Sequence, residues 1–278
     1  MEKQRTYKII ACDLDETLLG PDRRVSPGNR DAIRRAREKG VRFVPATGRG
    51  FSSVQGVLRE LGLYDMPGEY VLSYNGGAIT ENRGNRLLRF DGLSFAQAEA
   101  LFRRGLEYDV CIHVYTREKV YVYAMTPNEE EHLRGRMAVE TLETPNIEFL
   151  REEPIGKVLY NHTDLAYLGR IEGEIKDLTG ELEVSYSSAR YIEFNPRGVS
   201  KGNGLRRLAA LLGVAREDTI AIGDNINDRS MILAAGLGVG VQNAVEEIRP
   251  CCDYITSAAY DQDAVAEVIE KFVLGTSA

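Results

Sequence analysis

A chain of 278 residues, 43% of them hydrophobic, has enough apolar material to fill one large or two modest domains. A net charge of −7 argues against nucleic acid or an anionic membrane as an obligate partner. Four cysteines without CxxC or zinc spacing, three unpaired histidines, no signal-type apolar segment and no membrane-length run exclude a disulfide scaffold, a His-based zinc site and a Ser-His-Asp triad, and read as a cytoplasmic protein.

Met1 to Tyr7 is a polar lead-in. Ile9 to Cys12 is a short apolar run that reads as a buried parallel strand and ends in two carboxylates, Asp13 and Asp15. Charges at that place are costly unless a cation or a reaction uses them; the alternative is a turn that starts a helix. Ser26-Pro27 fits an N-cap and first helical position for a helix over Asn29 to Lys39, with Gly40 as its stop. Val41 to Ala46 is a second strand, ending in Thr47-Gly48-Arg49-Gly50. Ser52 to Gly62 is a helix, and Tyr70 to Ser73 a third strand, ending in Asn75-Gly76-Gly77. This alternation is the βαβ pattern of a parallel sheet.

The texture then changes. Ala78–Thr80 and Arg86–Phe90 flank a turn and read as a hairpin. Further strands are expected over Val110–Tyr115, Lys119–Ala124, Lys157–Asn161, Leu182–Tyr186 and Tyr191–Phe194, between helices over Phe95–Tyr108, Asn128–Ala138 and Leu165–Leu178. Antiparallel strands among helices suggest an α+β module inserted at residues 81–195 into a parallel α/β domain of 1–80 and 196–278. The parallel pattern resumes with a helix over Lys201–Leu212, a strand over Thr219–Ile222 ending in Gly223-Asp224-Asn225-Ile226-Asn227-Asp228, and a short helix over Arg229–Ala235. A strand over Leu237–Val241, a short helix over Val245–Arg249, a strand over Tyr254–Thr256 and a closing helix over Ala264–Val273 complete it.

Three strand ends now carry polar signatures: Asp13 with Asp15, Thr47-Gly48-Arg49, and Asp224 with Asn227 and Asp228. Ligands of open parallel sheets bind outside the carboxyl ends of the strands, so the three are expected to share a cleft. Several acids without a histidine cluster favour a hard cation, Mg²⁺ above others. Carboxylates, Mg²⁺ and one lysine suit a phosphoryl group, because the cations offset repulsion between an anionic nucleophile and an anionic substrate.

Asp13-Leu14-Asp15-Glu16-Thr17-Leu18-Leu19, Ala46-Thr47-Gly48-Arg49, Val199-Ser200-Lys201-Gly202 and Gly223-Asp224-Asn225-Ile226-Asn227-Asp228 stand in the order of the four motifs of the haloacid-dehalogenase-like phosphatases. The insert resembles the large cap of the Cof-type subfamily, class IIB. The resemblance spans nearly the whole chain and implies a Rossmann-like parallel-sheet core with that inserted cap. It implies Asp13 as a nucleophile that forms an aspartyl-phosphate, and Asp15 as the acid that protonates the leaving alcohol and then the base for water. Thr47 and Gly48 would bind the phosphoryl oxygens, Lys201 would neutralise Asp13 and the phosphate, and Asn227 and Arg49 would reach substrate. Mg²⁺ would sit between the Asp13 carboxylate, the Asp15 carbonyl and Asp224, with Asp228 completing or orienting its shell.

Blander readings stand beside these. Lys201 opens a helix, where a cation is disfavoured by the macrodipole, and is then merely solvated. Asp228 caps the next helix, Thr47-Gly48 is an ordinary βα turn, Arg49 makes a surface salt bridge, and Asn75-Gly76-Gly77 is turn chemistry. His113, Tyr115 and Tyr121 read as an aromatic strand face before they read as lining of a substrate pocket, and Glu193 as facing solvent or a cleft. Ile226 and Arg229 depart from the residue types usual at their places in the motif. The expected function is a Mg²⁺-dependent phosphatase of small phosphorylated metabolites, sugar phosphates first, with a cap that closes the cleft and selects the leaving group. A phosphomutase of the same superfamily and a non-catalytic phospho-ligand-binding protein are the alternatives.

Overall fold

The computed structural model describes residues 6–275, so the first five residues of the polar lead-in lie outside the described residues. The chain divides into two compact units, one running to Arg89 and resuming at Ser200, the other Phe90–Val199.

The first unit begins with β1 (Ile9–Cys12), α1 (Pro27–Glu38), β2 (Arg42–Pro45), α2 (Gln55–Glu60), β3 (Tyr70–Ser73), β4 (Ala78–Glu81) and β5 (Arg86–Phe90). The four residues of β1 are all buried because the strand is covered on both faces. Its side chains alternate between two layers: Ile10 and Cys12 join Ile33, Ala36, Leu58, Val265 and Val268, while Ile9 and Ala11 join Leu205, Leu208 and Met231. That alternation is what places helices on both sides of one sheet.

The second unit holds α3 (Phe95–Gly105), β6 (Cys111–Thr116), β7 (Val120–Tyr123), α4 (Pro127–Leu133), β8 (Glu140–Leu142), β9 (Ile155–Asn161), α5 (Leu165–Glu174), α6 (Lys176–Thr179), β10 (Leu182–Ser187) and β11 (Tyr191–Pro196). Its six-stranded sheet has the order β10-β11-β9-β6-β7-β8. Ile112, Val114, Val158, Tyr160, Ile192 and Phe194 form an apolar core with Leu101 and Phe102 of α3 and Leu168 and Ile171 of α5. The alternate residues carry polar groups, among them a buried pair in which Lys157 Nζ donates to Glu193 Oε2 at 2.5 Å. His113 and Tyr115 on the same strand face are buried as well.

The first unit then resumes with α7 (Lys201–Leu211), β12 (Thr219–Gly223), α8 (Arg229–Ala234), β13 (Leu237–Gly240), β14 (Tyr254–Ile255) and α9 (Ala264–Ile269). Its main sheet, β14-β13-β12-β1-β2, is parallel throughout. This is the α/β core with added antiparallel sheets that the sequence pattern predicts. No helix among the described residues is long and apolar enough to cross a membrane.

Several elements differ from expectation. The hairpin strands β4 and β5 join β3 in a three-stranded sheet, with β3 and β4 antiparallel. Strand β8 escapes sequence reading because its Glu140 and Thr141 are exposed and carry no alternation. The expected helix at Val245–Arg249 is a set of turns ending in a 3₁₀ turn, Arg249–Cys251. Pro250 sits inside that turn and could not donate to a longer helical ladder.

Candidate active site

The register of the parallel strands lines up their ends. Cys12 stands opposite Ile222 of β12 and Pro45 of β2. The next backbone contacts, Asp13 N–H to Ile222 O (3.0 Å) and Ala46 N–H to Cys12 O (2.8 Å), carry the alignment one residue further. Asp13, Thr47 and Asp224 therefore leave three neighbouring strands at one edge of the sheet.

Lys201 comes to this edge from α7. Ser200 caps the helix by accepting from Asn203 N–H. The position is set by close packing: a Cβ on Gly202 would lie 2.1 Å from Ser230 O, and one on Gly76 would lie 2.5 Å from Ser200 O. Gly76 also has φ +82°, as the loop Tyr74-Asn75-Gly76 runs through three consecutive positive φ values. Glycine there meets both a conformational and a steric demand.

The Lys201 side chain is fully buried, and its ammonium donates to Asp13 Oδ1 at 2.5 Å and to Asp228 Oδ1 at 2.6 Å. A solvated lysine is therefore not what the helix start holds. Burial pulls its pKa down, but Asp13 and Asp228 outweigh that and hold the ammonium above its ordinary range. The two carboxylates also offset the unfavourable helix dipole.

Asp13, Asp224 and Asp228 are buried and offer carboxylate oxygens that all lie within 4.8 Å of one another. Burial is the largest influence on Asp13 and, despite Lys201, raises its pKa from 3.8 to about 7. Burial, then Asp228 and Asp13, raise Asp224 from 3.8 to about 9. Three buried acids share one lysine, so without a second cation the cluster balances its charge by holding protons.

Asp228 is committed on both oxygens. Oδ1 takes Lys201, and Oδ2 accepts from the backbone N–H groups of Asp224 (3.0 Å) and Asn225 (3.1 Å). It thus fixes the turn that carries Asp224 and anchors the lysine, whereas it makes no side-chain cap to α8, the role weighed from sequence. Asp13 Oδ2 and Asp224 Oδ2, by contrast, take no hydrogen bond among the described residues. These two oxygens are the free hard donors of the cluster. Two hard oxygens on acids that otherwise hold protons for want of a second cation fit a divalent cation of the Mg²⁺ class.

The remaining residues are placed less closely. Thr47 is buried at the end of β2, and its Oγ1 accepts from Arg49 N–H at 3.1 Å. Gly48 and Asn227 are half-buried on the two loops. The Arg49 guanidinium grips both oxygens of Asp15, Nε to Oδ2 at 2.9 Å and Nη2 to Oδ1. Arg49 therefore bonds a neighbouring side chain, and the Asp15 carboxylate takes its hydrogen bonds from Arg49, not from Lys201.

Sequence reasoning passed over Thr17. It is fully buried, and its Oγ1 donates to Asp224 Oδ1 at 2.7 Å. The available signal was a hydroxyl residue at the head of the apolar pair Leu18-Leu19, four residues after Asp13.

Residues 10–269 match the family described as haloacid dehalogenase-like hydrolase. Among curated relatives, “Putative phosphatase YxeH” of Bacillus subtilis (strain 168) is 31% identical over 274 residues, 96% of this chain and 99% of that protein. The 5-amino-6-(5-phospho-D-ribitylamino)uracil phosphatase YcsE of the same organism is 29% identical over 271 residues, 96% of each chain. A solved haloacid dehalogenase-like hydrolase from Bacteroides thetaiotaomicron superposes with a TM-score of 0.82 at 32% identity, over 96% of this chain and 99% of that one.

Proposed function

The chain belongs to the haloacid dehalogenase-like hydrolase family and is a phosphatase, and from that premise we propose that it hydrolyses small phosphorylated metabolites with Mg²⁺ through an aspartyl-phosphate on Asp13. The observation that carries the reading is the ammonium of Lys201, buried between Asp13 and Asp228 at 2.5 and 2.6 Å, beside a third acid, Asp224. A lysine so placed keeps one oxygen of Asp13 tied and leaves the other for attack.

In the proposed reaction Asp15 leaves Arg49 and takes a proton from solvent, Asp13 Oδ2 attacks phosphorus, the bond from phosphorus to the leaving oxygen breaks, and Asp15 gives that oxygen its proton. Water then attacks the aspartyl-phosphate, Asp15 takes its proton, and Asp13 and inorganic phosphate are released. Thr47 and Gly48 border the strand ends and supply hydrogen-bond donors to the phosphoryl oxygens. Asp15 must leave Arg49 to reach the leaving oxygen, so Arg49 serves as the resting partner of the acid and, once released, as a cation facing substrate. Asp13, Asp224 and the Asp15 carbonyl would hold the Mg²⁺, which when bound supplies charge compensation for the nucleophile and the phosphoryl oxygens. Asp228 orients the site instead of binding the metal.

A sugar or sugar-alcohol phosphate is the favoured substrate class. The relative YcsE is named for a phosphoribityl compound, which joins a phosphomonoester to a polyol. The test is phosphate release over sugar phosphates, polyol phosphates, nucleotides and phosphorylated cofactors, with and without Mg²⁺. Turnover that needs Mg²⁺ and disappears in Asp13→Asn is the expected result. Near-normal turnover by Asp13→Asn would sink the reading, and isomerised sugar phosphate without phosphate release would mean a mutase.

A further inference from the structure

Three acids crowded within 4.8 Å repel one another, so each needs an anchor to keep its geometry. Lys201 anchors two, Asp13 and Asp228, and Asp228 is further held by two backbone N–H groups. Asp224 has no cation of its own. Its backbone is fixed at both ends of the peptide, because its N–H donates to Asp228 Oδ2 and its carbonyl accepts from Val245 N–H at 2.9 Å. What remains free is rotation of its side chain, and the one hydrogen bond on that side chain comes from Thr17.

Thr17 is itself held rigidly. It lies in a turn closed by Leu18 N–H and Leu19 N–H on Leu14 O, at 3.0 and 2.8 Å. Glu16, one residue before, takes a left-handed φ of 58°, and its carbonyl accepts from Asn243 Nδ2 at 2.9 Å. Leu14 and Leu18 on either side are fully buried in the apolar layer. In such surroundings valine would pack as well as threonine, and a hydroxyl is costly unless bonded. The Thr17 hydroxyl reaches a carboxylate 207 residues away in sequence.

We propose that Thr17 is a positioning residue: its hydroxyl pins one oxygen of Asp224 so that the other is presented to the divalent cation. The inference rests on the reading above that Asp224 binds the metal. The competing account is a buried threonine that only satisfies its own hydrogen bond. That account predicts a loss of stability without the hydroxyl but no change in metal affinity, since the free oxygen of Asp224 would be where it was.

The experiment is isothermal titration of Mg²⁺ into the full chain after chelation and dialysis, for wild type, Thr17→Val, Thr17→Ala, Thr17→Ser and Asp224→Asn. Loss of an outer partner of a metal ligand weakens binding ten-fold or more, so Thr17→Val and Thr17→Ala should each show about that loss, while Thr17→Ser stays within roughly three-fold. Using two variants without the hydroxyl guards against one that fails to fold. If both bind Mg²⁺ within about two-fold of wild type while Asp224→Asn loses it, the positioning role is wrong and the metal reading stands. If Asp224→Asn binds as wild type does, the metal reading falls and the inference falls with it.

Discussion

Replacing Lys201 by methionine keeps most of the side-chain volume and removes the charge. In the metal-free protein it leaves Asp13, Asp224 and Asp228 together without a cation among them. Each contact, at 2.5 and 2.6 Å, is worth roughly 6 kcal/mol of direct attraction at an effective dielectric of about 20. Desolvation of the ammonium offsets much of this, and breaking a buried pair by removing one partner costs about 3–5 kcal/mol. Proton uptake sets a ceiling on the loss. Holding one aspartate of ordinary pKa 3.8 protonated in the fold at pH 8 costs roughly 6 kcal/mol, at about 1.4 kcal/mol per pH unit. The expected loss at pH 8 is therefore about 3–5 kcal/mol, a fall in Tm on the order of 6–20 °C for a chain of this size. At pH 6 a proton is easier to hold by two units, and about half of the loss should return. Thermal unfolding by circular dichroism of chelated wild type and Lys201→Met at pH 6 and pH 8 measures both quantities. A fall of less than about 2 °C at pH 8, or an equal fall at both pH values, would refute the role given to the lysine.

The wild-type protein should show its own pH dependence. Asp13 and Asp224 are raised in the fold to about 7 and about 9 from 3.8, so between those values the folded chain binds protons that the unfolded chain does not. Their contribution to stability is fully present below about pH 4 and is lost as pH rises through 7 and then 9. Tm of the chelated protein should thus decline over pH 6–9, and Mg²⁺ should raise Tm more at pH 9 than at pH 6, because metal and protons compete for the same oxygens. Asp15→Asn should lower kcat/KM for alkyl phosphates by about 10²–10⁴-fold and for p-nitrophenyl phosphate far less, since a good leaving group needs no acid, while kcat falls for both because the attacking water has lost its base. Equal losses of kcat/KM on both substrates would assign Asp15 another role. Gly76→Ala introduces a Cβ 2.5 Å from Ser200 O at φ +82°, so it should cost about 1–3 kcal/mol in urea unfolding and lower turnover by displacing Lys201. Unchanged stability would mean that the loop yields freely.

The parallel core was legible because burial on both faces leaves a local trace, short apolar runs such as Ile9–Cys12 and Thr219–Ile222 that stop at polar residues. The acids at those stops could be nominated from the same trace. Their partners could not. Lys201 looks misplaced by local rules, because the helix dipole disfavours it, and its two carboxylates lie 188 and 27 residues away. The pairs Thr17–Asp224 and Arg49–Asp15 span 207 and 34 residues and leave no periodic signal. The second unit hides its polar chemistry in another way. His113, Lys157 and Glu193 sit at alternate positions of strands whose other face is apolar, which reads as a half-exposed strand, yet all three are buried. Alternation reports that two faces differ in polarity, and burial of the polar face depends on what covers it.

Asp13 and Asp15 are two residues apart and carry the same functional group, so their difference must come from their partners. Asp13 meets an ammonium on one oxygen only, which leaves the second without a hydrogen bond among the described residues and, in the proposed reaction, available for attack. Asp15 meets a guanidinium on both oxygens, and its side chain keeps about a third of its surface (34%) accessible. A two-point grip orients a carboxylate well, but it must be given up before either oxygen can exchange a proton with a substrate. Arg49→Ala would then release Asp15 from its resting position without removing the acid. If the grip serves only to hold Asp15 in readiness, alkyl phosphates should lose about ten-fold in kcat/KM and p-nitrophenyl phosphate almost nothing. If Arg49 also meets the substrate's phosphoryl group after releasing Asp15, both substrates should suffer, and the loss should fall on KM. The ratio between the two substrates therefore separates a residue that positions the acid from one that binds the phosphate.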